Sequence, residues 1–529
     1  LETLLKIAVM KNLLFLFAGL LMACNGSQKA VSENSGKAPI KPDPVAFAAS
    51  ITEEELKEHL YTYASDEFEG RETGKEGQKK AVAYLKAAYE SMDIPGGLQG
   101  GEYFQNVPLE LTKLPTGNLI VDGQSYANGE GFLTFDGSSR SYDQIVYVGY
   151  GIEAEEYSDY QDLDVKGKLL MMKAGEPRNG DGTFLLTGTE EPSKWSNISE
   201  AIEKRMEVAL EKGAEGILFV DPDNFSRYMR YFDYMKTNDS GQMSLKNKDE
   251  ETPDMLLVSE ELAGKIYDGY KSSEKPTTIS LPVRMEVESR NEDVASENVV
   301  AFIRGSQWPE EYVVISSHLD HIGVNANGEI NNGADDDGSG TVALLEIAEA
   351  FKQAADAGMG PRRSVVFLHV TGEEKGLLGS QYYTDVEPVF PLENTVANLN
   401  IDMIGRIDPK REGNRNYVYL IGSDKLSSEL HELSETVNSR YTGIELDYTY
   451  NDENDPNRFY YRSDHYNFAK NNIPIIFYFN GTHADYHRPG DTPDKINYDL
   501  LKNRTQLVFH TAWEIANRDS RLVVDQVAR

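Results

Sequence analysis

The sequence predicts an α/β protein: a three-layer αβα sandwich around a mostly parallel mixed sheet, interrupted by a smaller β-rich α/β insert. Three observations carry this. From Ser296 onward, apolar runs of strand length alternate with helical patterns: "NVVAFIRG", "EYVVISSH", "RSVVFLHVTGEE", "TVANLNIDMIG" and "IPIIFYFNGTH". Continuous apolar strands with helices between them belong to a parallel sheet covered on both faces. Between two of these runs, "GTVALLEIAEAFKQAADAG" repeats apolar residues at helical spacing, at Leu344, Leu345, Ala348, Phe351 and Ala355. From about Pro115 to Val287 the texture changes to short strands separated by turn-rich stretches, and 529 residues exceed one ordinary core.

Residues 1–9, "LETLLKIAV", precede Met10 and read as upstream translation. "MKNLLFLFAGLLMAC" then places Lys11 before an apolar run from Leu13 to Met22, followed by Ala23 and Cys24. That is the pattern of a bacterial secretory signal, with a core too short to span a bilayer. "LMAC" resembles a lipobox, which implies that Cys24 is lipidated and anchors an exported protein to the bacterial envelope, facing the periplasm or the cell surface. Cys24 is the single cysteine, so no disulfide or multi-thiolate metal site forms within one chain.

Residues 25–45, rich in Ser, Gly, Lys and Pro, are expected to form a flexible tether. "SITEEELKEHLYTYA" predicts a helix capped by Ser50 or Thr52. "SDEFEGRETGKEG" reads as a loop, and "QKKAVAYLKAAYESM" as a second amphipathic helix. The expected catalytic domain is discontinuous, residues 46–115 and 290–529, and the insert spans 116–289. Within the insert, "QIVYVGYGI" and "GKLLMMKAG" read as strands and "SEAIEKRMEVALEKGAEGILFV" as a helix–strand unit.

A net charge of −35 argues against a nucleic-acid partner, which needs clustered Lys and Arg. The acids are also concentrated in a telling way. "EYVVISS" runs into His318, Leu319, Asp320 and His321; "SVVFLHVTG" into Glu373 and Glu374; "ANLNI" into Asp402; "PIIFYFNG" into His483 and His487. The run Asp335, Asp336, Asp337 precedes the helix that follows the first of these strands. Sites in open α/β sheets gather at the carboxyl ends of the strands. So many acids at one edge, with no Lys or Arg cluster beside them, need a cation, since leaving them unpaired costs several kcal/mol as an order of magnitude. Histidine and carboxylate without cysteine suit Zn²⁺, or Co²⁺ or Mn²⁺, and the ligands suffice for two ions. No G-x-S-x-G elbow follows a strand, which sets serine chemistry aside.

In order, "SHLDHIG", "NNGADDDGSG", "VTGEEKGLLGS", "NIDMIG" and "YHRPGDTPDK" resemble the M28 family of zinc peptidases. "YVGYGI", "DVKGKLLMM" and "ALEKGAEGILFVDP" make 116–289 similar to a protease-associated (PA) insert. The resemblance implies two zinc ions per chain, one held by His318, Asp336 and Asp402 and the other by Asp336, Glu374 and His487, with Asp336 bridging. It implies Glu373 as general base and Asp320 as an acid that supports the metal site without touching it. The implied activity is that of an exopeptidase, an aminopeptidase that hydrolyses N-terminal residues from peptides through a bridging water activated by two metals. Carboxypeptidase or dipeptidase activity, and a single-zinc glutaminyl cyclase, are the alternatives. His321, His465 and His483 are expected to be supporting residues, as Asp335 and Asp337 are expected to make turn and cap hydrogen bonds. "RSDHYNFAK", with Asp464, matches the family without an assigned metal.

Overall fold

A computed structural model describes residues 43–526, apart from 198–199, 239–240, 247–252 and 274. The leader, Cys24 and nearly all of the tether lie outside the described residues. A short helix, Pro44–Ala48, begins where the tether was expected to run on to residue 45. Asp43 accepts the Val45 N–H, Pro44 fits the first helical turn, and Phe47 buries its ring against Trp513.

The central sheet has nine strands: β1 (Phe104–Thr112), β2 (Gln242–Leu245), β3 (Glu292–Ile303), β4 (Trp308–His318), β5 (Arg363–Val370), β6 (Thr395–Ile401), β7 (Tyr417–Ile421), β8 (Glu445–Asp447) and β9 (Ile475–Phe479). Their spatial order is β2-β1-β3-β5-β4-β6-β9-β7-β8. Strands β5, β4, β6 and β9 are mutually parallel. β8 joins β7 in parallel, whereas β2, β1 and β3 on one side and β7 on the other add antiparallel. The parallel arrangement is thus confined mainly to the middle of the sheet. The reason is chain length: only residues 304–307 connect β3 to β4, and a parallel crossover needs a dozen or more.

Alternate residues of the central strands feed two cores, as a pleated strand requires. Val313, Ile315, Val365, Phe367, Leu399 and Ile401 pack under five helices: α1 (Glu53–Tyr63), α2 (Glu76–Ser91), α3 (Gly340–Asp356), α4 (Ser428–Tyr441) and α5 (Tyr498–Asn517). Tyr312, Val314, Val366 and Leu368 face the other way, under the shorter helical segments Tyr382–Val386 and His465–Ala469. Thr52 caps α1 reciprocally: its hydroxyl accepts the Glu55 N–H and donates to the Glu55 carboxylate. Ser50 instead donates to the Phe47 carbonyl. α3 is buried nearly all round rather than along one stripe, Glu346 included.

Residues 116–288 build three further sheets among the described residues, one six-stranded and mixed, one four-stranded and antiparallel, and one a two-stranded ribbon, with apolar clusters of their own. One strand from this stretch, β2, leaves them and extends the edge of the central sheet, pairing Leu245 with Leu109.

Candidate metal centre

The four parallel strands end side by side, and each end delivers a functional group. β4 closes on His318; β5 runs through Thr371 and Gly372 into Glu373 and Glu374; β6 is followed at once by Asp402; β9 leads to His483 and His487. The triple aspartate sits in the turn that opens α3, entered through Gly333 at φ +56, and its Asp336–Asp337 peptide bond is cis. All three aspartates are buried.

They divide the work. Asp337 accepts N–H bonds from His318 (3.2 Å), Met403 (3.1 Å) and Gly340 (2.9 Å), tying the ends of β4 and β6 to α3. Asp335 accepts from the Gly405 N–H at 2.6 Å and from Asn480 at 3.1 Å. Asp335 also faces His483, at 3.2 Å, whereas the middle acid, Asp336, turns its carboxylate toward His318 and His487. Its Oδ1 lies 3.3 Å from His318 Nε2 and its Oδ2 3.1 Å from His487 Nε2. Asp402 Oδ1 is 3.7 Å from His318 Nε2, and Glu374 Oε2 is 3.0 Å from His487 Nε2. The five residues expected as ligands are therefore gathered in one place, with Asp336 presenting one oxygen to each side.

The donor set passes a physical test for metal. Among the described residues, His318 Nε2, both ring nitrogens of His321, Asp336 Oδ2 and Glu374 Oε1 are buried without a hydrogen-bond partner. Such atoms are costly unless something binds them. Two groups of donors converge within 4.8 Å: His318, Glu373 and Asp402, and His321, Asp336 and Glu374. The His318 ring is oriented for ligation, because its Nδ1 lies 3.0 Å from the Asp320 carbonyl oxygen and an N–H there leaves the Nε2 lone pair facing the acids.

Electrostatics point the same way. Burial opposes ionisation of Asp336, yet His318 and His487 outweigh it and hold the carboxyl well below the ordinary range. Burial likewise opposes ionisation of Glu374, and so does the charge of Asp336, but His321 and His487 hold it down to about 2. For His487, burial would lower the proton affinity, but the two acids push it up to about 10. The carboxylates at this edge of the sheet demand positive charge. Glu373 behaves in the opposite sense. Burial, reinforced by Asp402 and Glu374 against the opposing charge of His318, pushes its carboxyl well above the usual range. Its Oε2 is 4.0 Å from His318 Nε2.

Asp320 supports the centre by a route the sequence did not indicate. Its backbone carbonyl faces His318, while its carboxylate accepts the Thr73 hydroxyl (2.7 Å) and the Glu373 N–H (3.2 Å). It therefore fixes Glu373 as well as His318. Three other supports were not singled out. Ser463 donates to Asp402 Oδ2 at 2.7 Å and accepts from Asn400 at 2.9 Å. Arg71, fully buried, donates to the carbonyls of Tyr63, Asn332 and Gly333, gripping the loop before the triple aspartate. Asp491 accepts the N–H groups of Asp335 and Asp336. Ser463 and Asp491 each lie inside a quoted motif, but nothing local marks Arg71 or Thr73. His483 lies 3.2 Å from Asp335, and His465 stacks on Phe477 with Nε2 facing the Tyr460 carbonyl. Asp464 takes the Ser380 hydroxyl at 2.5 Å, and burial raises its carboxyl to about 7. His321 is the exception among the histidines expected to be supporting: its Nδ1 stands 2.7 Å from Glu374 Oε1 and 3.8 Å from Asp336 Oδ2. Beside the centre lies a cavity lined by Asp336, Glu373, Asp402, Phe459, Arg462 and Tyr486, among others.

Comparison with known proteins adds a family to this geometry. Residues 298–512 match the sequence model of peptidase family M28. A "probable leucine aminopeptidase 2" of Aspergillus oryzae is 28% identical over 278 residues, 47% of this chain and 50% of that protein. A "Glutamate carboxypeptidase 2 homolog" of Caenorhabditis elegans is 23% identical over 463 residues, 75% of this chain and 57% of that one. The chain spans about half the length of these curated relatives. Among solved structures, an aminopeptidase from Aneurinibacillus sp. strain AM-1 aligns over 92% of this chain and 98% of its own, with TM-score 0.46 and 18% identity.

Proposed function

We propose that this chain, whose residues 298–512 match the sequence model of peptidase family M28, is a zinc-dependent exopeptidase that removes N-terminal residues from peptides. The observation that carries the reading is the convergence of His318, Asp336, Glu374, Asp402 and His487 on one strand edge, with buried donor atoms that have no hydrogen-bond partner among the described residues. His318, Asp336 and Asp402 would hold one zinc ion, and Asp336, Glu374 and His487 a second; Co²⁺ and Mn²⁺ are substitutes. Bound zinc would supply Lewis acidity toward the scissile carbonyl and a water of lowered pKa.

The chain's own residues do the rest. Glu373 sits against the cavity with its N–H held by Asp320, and its raised proton affinity suits a group that takes a proton at neutral pH and returns it to the leaving amine. Asp337 and Asp335 lock the strand ends so that the donors keep their spacing. The acids around the cavity are candidates to receive a peptide's free ammonium group. Residues 116–289 would act as a PA-type insert that restricts access and favours short peptides.

One observation favours a second reading, a carboxypeptidase or dipeptidase. Arg462 lines the cavity, packs on Phe459 and donates to the Tyr486 hydroxyl at 3.4 Å; its charge suits a substrate carboxylate. A panel of short peptides, free or blocked at either end and assayed with zinc, separates the two. Loss of turnover on N-acetylation supports the aminopeptidase. Loss on C-terminal amidation alone supports the second reading, and turnover of doubly blocked peptides contradicts both.

We also propose export and lipid anchoring through Cys24. No helix among the described residues is long and apolar enough to cross a membrane. Cys24→Ser should move the protein out of the membrane fraction or block its processing; a variant still membrane-bound after normal signal cleavage would refute the anchor.

A further inference from the structure

We propose that Thr73, on the loop between α1 and α2, is a positioning residue for Glu373: it aligns the proposed general base through Asp320 and leaves the metal ligands undisturbed. This rests on the metallo-exopeptidase reading and deepens it, by separating what holds the base from what holds the ions.

Asp320 serves its two partners with two different groups. Its backbone carbonyl oxygen lies 3.0 Å from His318 Nδ1. Its carboxylate is fully buried and held at both oxygens: Oδ1 accepts the Glu373 N–H at 3.2 Å and Oδ2 accepts the Thr73 hydroxyl at 2.7 Å. A carboxylate gripped at both oxygens cannot turn about its Cβ–Cγ bond without breaking one of the two bonds. Thr73 therefore sets the plane in which Oδ1 meets the backbone of the base. Thr73 is itself 1% exposed. Valine in its place fills the same space and leaves Oδ2 a buried acceptor with no donor, the costly way to lose a hydrogen bond. The carboxylate then turns to find another donor, and the Glu373 N–H loses its fixed partner.

The hydroxyl is delivered by a backbone that is pinned to the centre on its own account. The Gly70 carbonyl accepts the Gly323 N–H at 3.0 Å, and the Arg71 carbonyl accepts the His321 N–H at 3.2 Å. Glu72 Oε1 lies 3.3 Å from the ammonium of Lys375, the residue after Glu374. Gly70 has φ +65, and a Cβ there would stand 2.3 Å from the Asn331 carbonyl oxygen, so the loop can lie this close only with glycine at that position. Residues 70–73 thus rest on the segments that follow both β4 and β5, and Thr73 is the one among them whose side chain reaches Asp320.

The division within Asp320 has a chemical consequence. His318 is oriented by a carbonyl of the main chain, which loss of the Thr73 hydroxyl does not move. Glu373 is oriented by the carboxylate, which that loss releases. The perturbation should reach proton transfer and spare metal binding.

Steady-state kinetics on the full zinc-loaded chain tests this, with the peptide cleaved fastest in the panel of free and end-blocked peptides. Wild type is compared with Thr73→Val, Thr73→Ala, Thr73→Ser, Glu373→Gln and the double variant Thr73→Val/Glu373→Gln. Circular dichroism verifies folding, and elemental analysis after dialysis against buffered zinc gives metal content. Thr73→Val and Thr73→Ala should lose about 10–100-fold in kcat, the range for removing an outer partner of such a site, with KM little changed and zinc content as in wild type. Thr73→Ser keeps the hydroxyl and should recover most of the rate. In the Glu373→Gln background, Thr73→Val should cost no more than about 2-fold, because misaligning a base that is already gone has no further effect. Any one of four results in folded variants overturns the proposal alone: an unchanged kcat, a loss that serine does not recover, an equal loss in both backgrounds, or loss of zinc. A zinc-loaded wild type that cleaves no peptide of the panel overturns the exopeptidase reading with it.

Discussion

Replacing Glu346 by glutamine should stabilise the protein, and by an amount that grows with pH. Glu346 lies on the inner face of α3 with its side chain buried, and neither carboxylate oxygen has a hydrogen-bond partner among the described residues. Burial, with Glu55 and Glu349 as neighbouring like charges, raises its pKa from 4.5 to about 8. His59, 3.6 Å away, is itself made less basic by burial. Below pH 4.5 the acid is protonated folded or unfolded and contributes nothing. Between 4.5 and 8 the native state holds a proton that the unfolded chain has released, so stability falls as pH rises. Above 8 the full cost is present. At 1.36 kcal/mol per pH unit this is roughly 3 kcal/mol at pH 7 and on the order of 5 kcal/mol above pH 8. Urea unfolding of wild type and Glu346→Gln at pH 4.5, 7 and 9, with zinc held constant, isolates the effect because other titrations cancel in the difference. Near-equal stability at pH 4.5 and a widening advantage to the variant are expected. A difference independent of pH would show that Glu346 is ionised and solvated in the folded protein.

Three further outcomes follow from the centre. Glu373→Gln should retain metal and fold but lose roughly 10²–10⁴-fold in kcat, as removal of a general base does; an unchanged rate in a steady-state peptide assay would take Glu373 out of the mechanism. Asp336→Asn should weaken both metal positions together, since its two oxygens face different histidines, and elemental analysis that finds only one ion lost would assign the bridge to another residue. Ser463→Ala removes the hydrogen bond to Asp402, worth about 1.5–3 kcal/mol for a charged acceptor; chelator competition should show the His318 position weakened about 10–100-fold and the other unaffected.

The legible part of this protein is the part that repeats a physical rule within a short window. The strands β4, β5, β6 and β9 announce themselves as apolar runs, and the residues just past their ends are the donors. α1 follows from Thr52 and its acidic first turn. The antiparallel flanks were not legible as such, because strand direction depends on connection length across the sheet; the 304–307 turn decides it for β3. What escaped entirely depends on contacts between distant segments. Arg71 reaches Asn332 and Gly333, and Thr73 reaches Asp320, across about 250 residues of sequence. In "EGRETG" nothing distinguishes a solvated arginine from one that holds the aspartate turn. Among the histidines, position after a strand end does not separate a supporting ring such as His483 from His321, whose Nδ1 shares the carboxylates of the centre.

The central claim is that five residues hold two ions across one bridging carboxylate, and metal stoichiometry tests it most directly. Wild-type protein dialysed to equilibrium against buffered zinc and measured by elemental analysis against an accurate protein concentration should carry two zinc ions per chain, because Asp336 completes a set of donors on each side. Saturation at a single ion would contradict the account and favour a single-zinc chemistry of the glutaminyl cyclase kind.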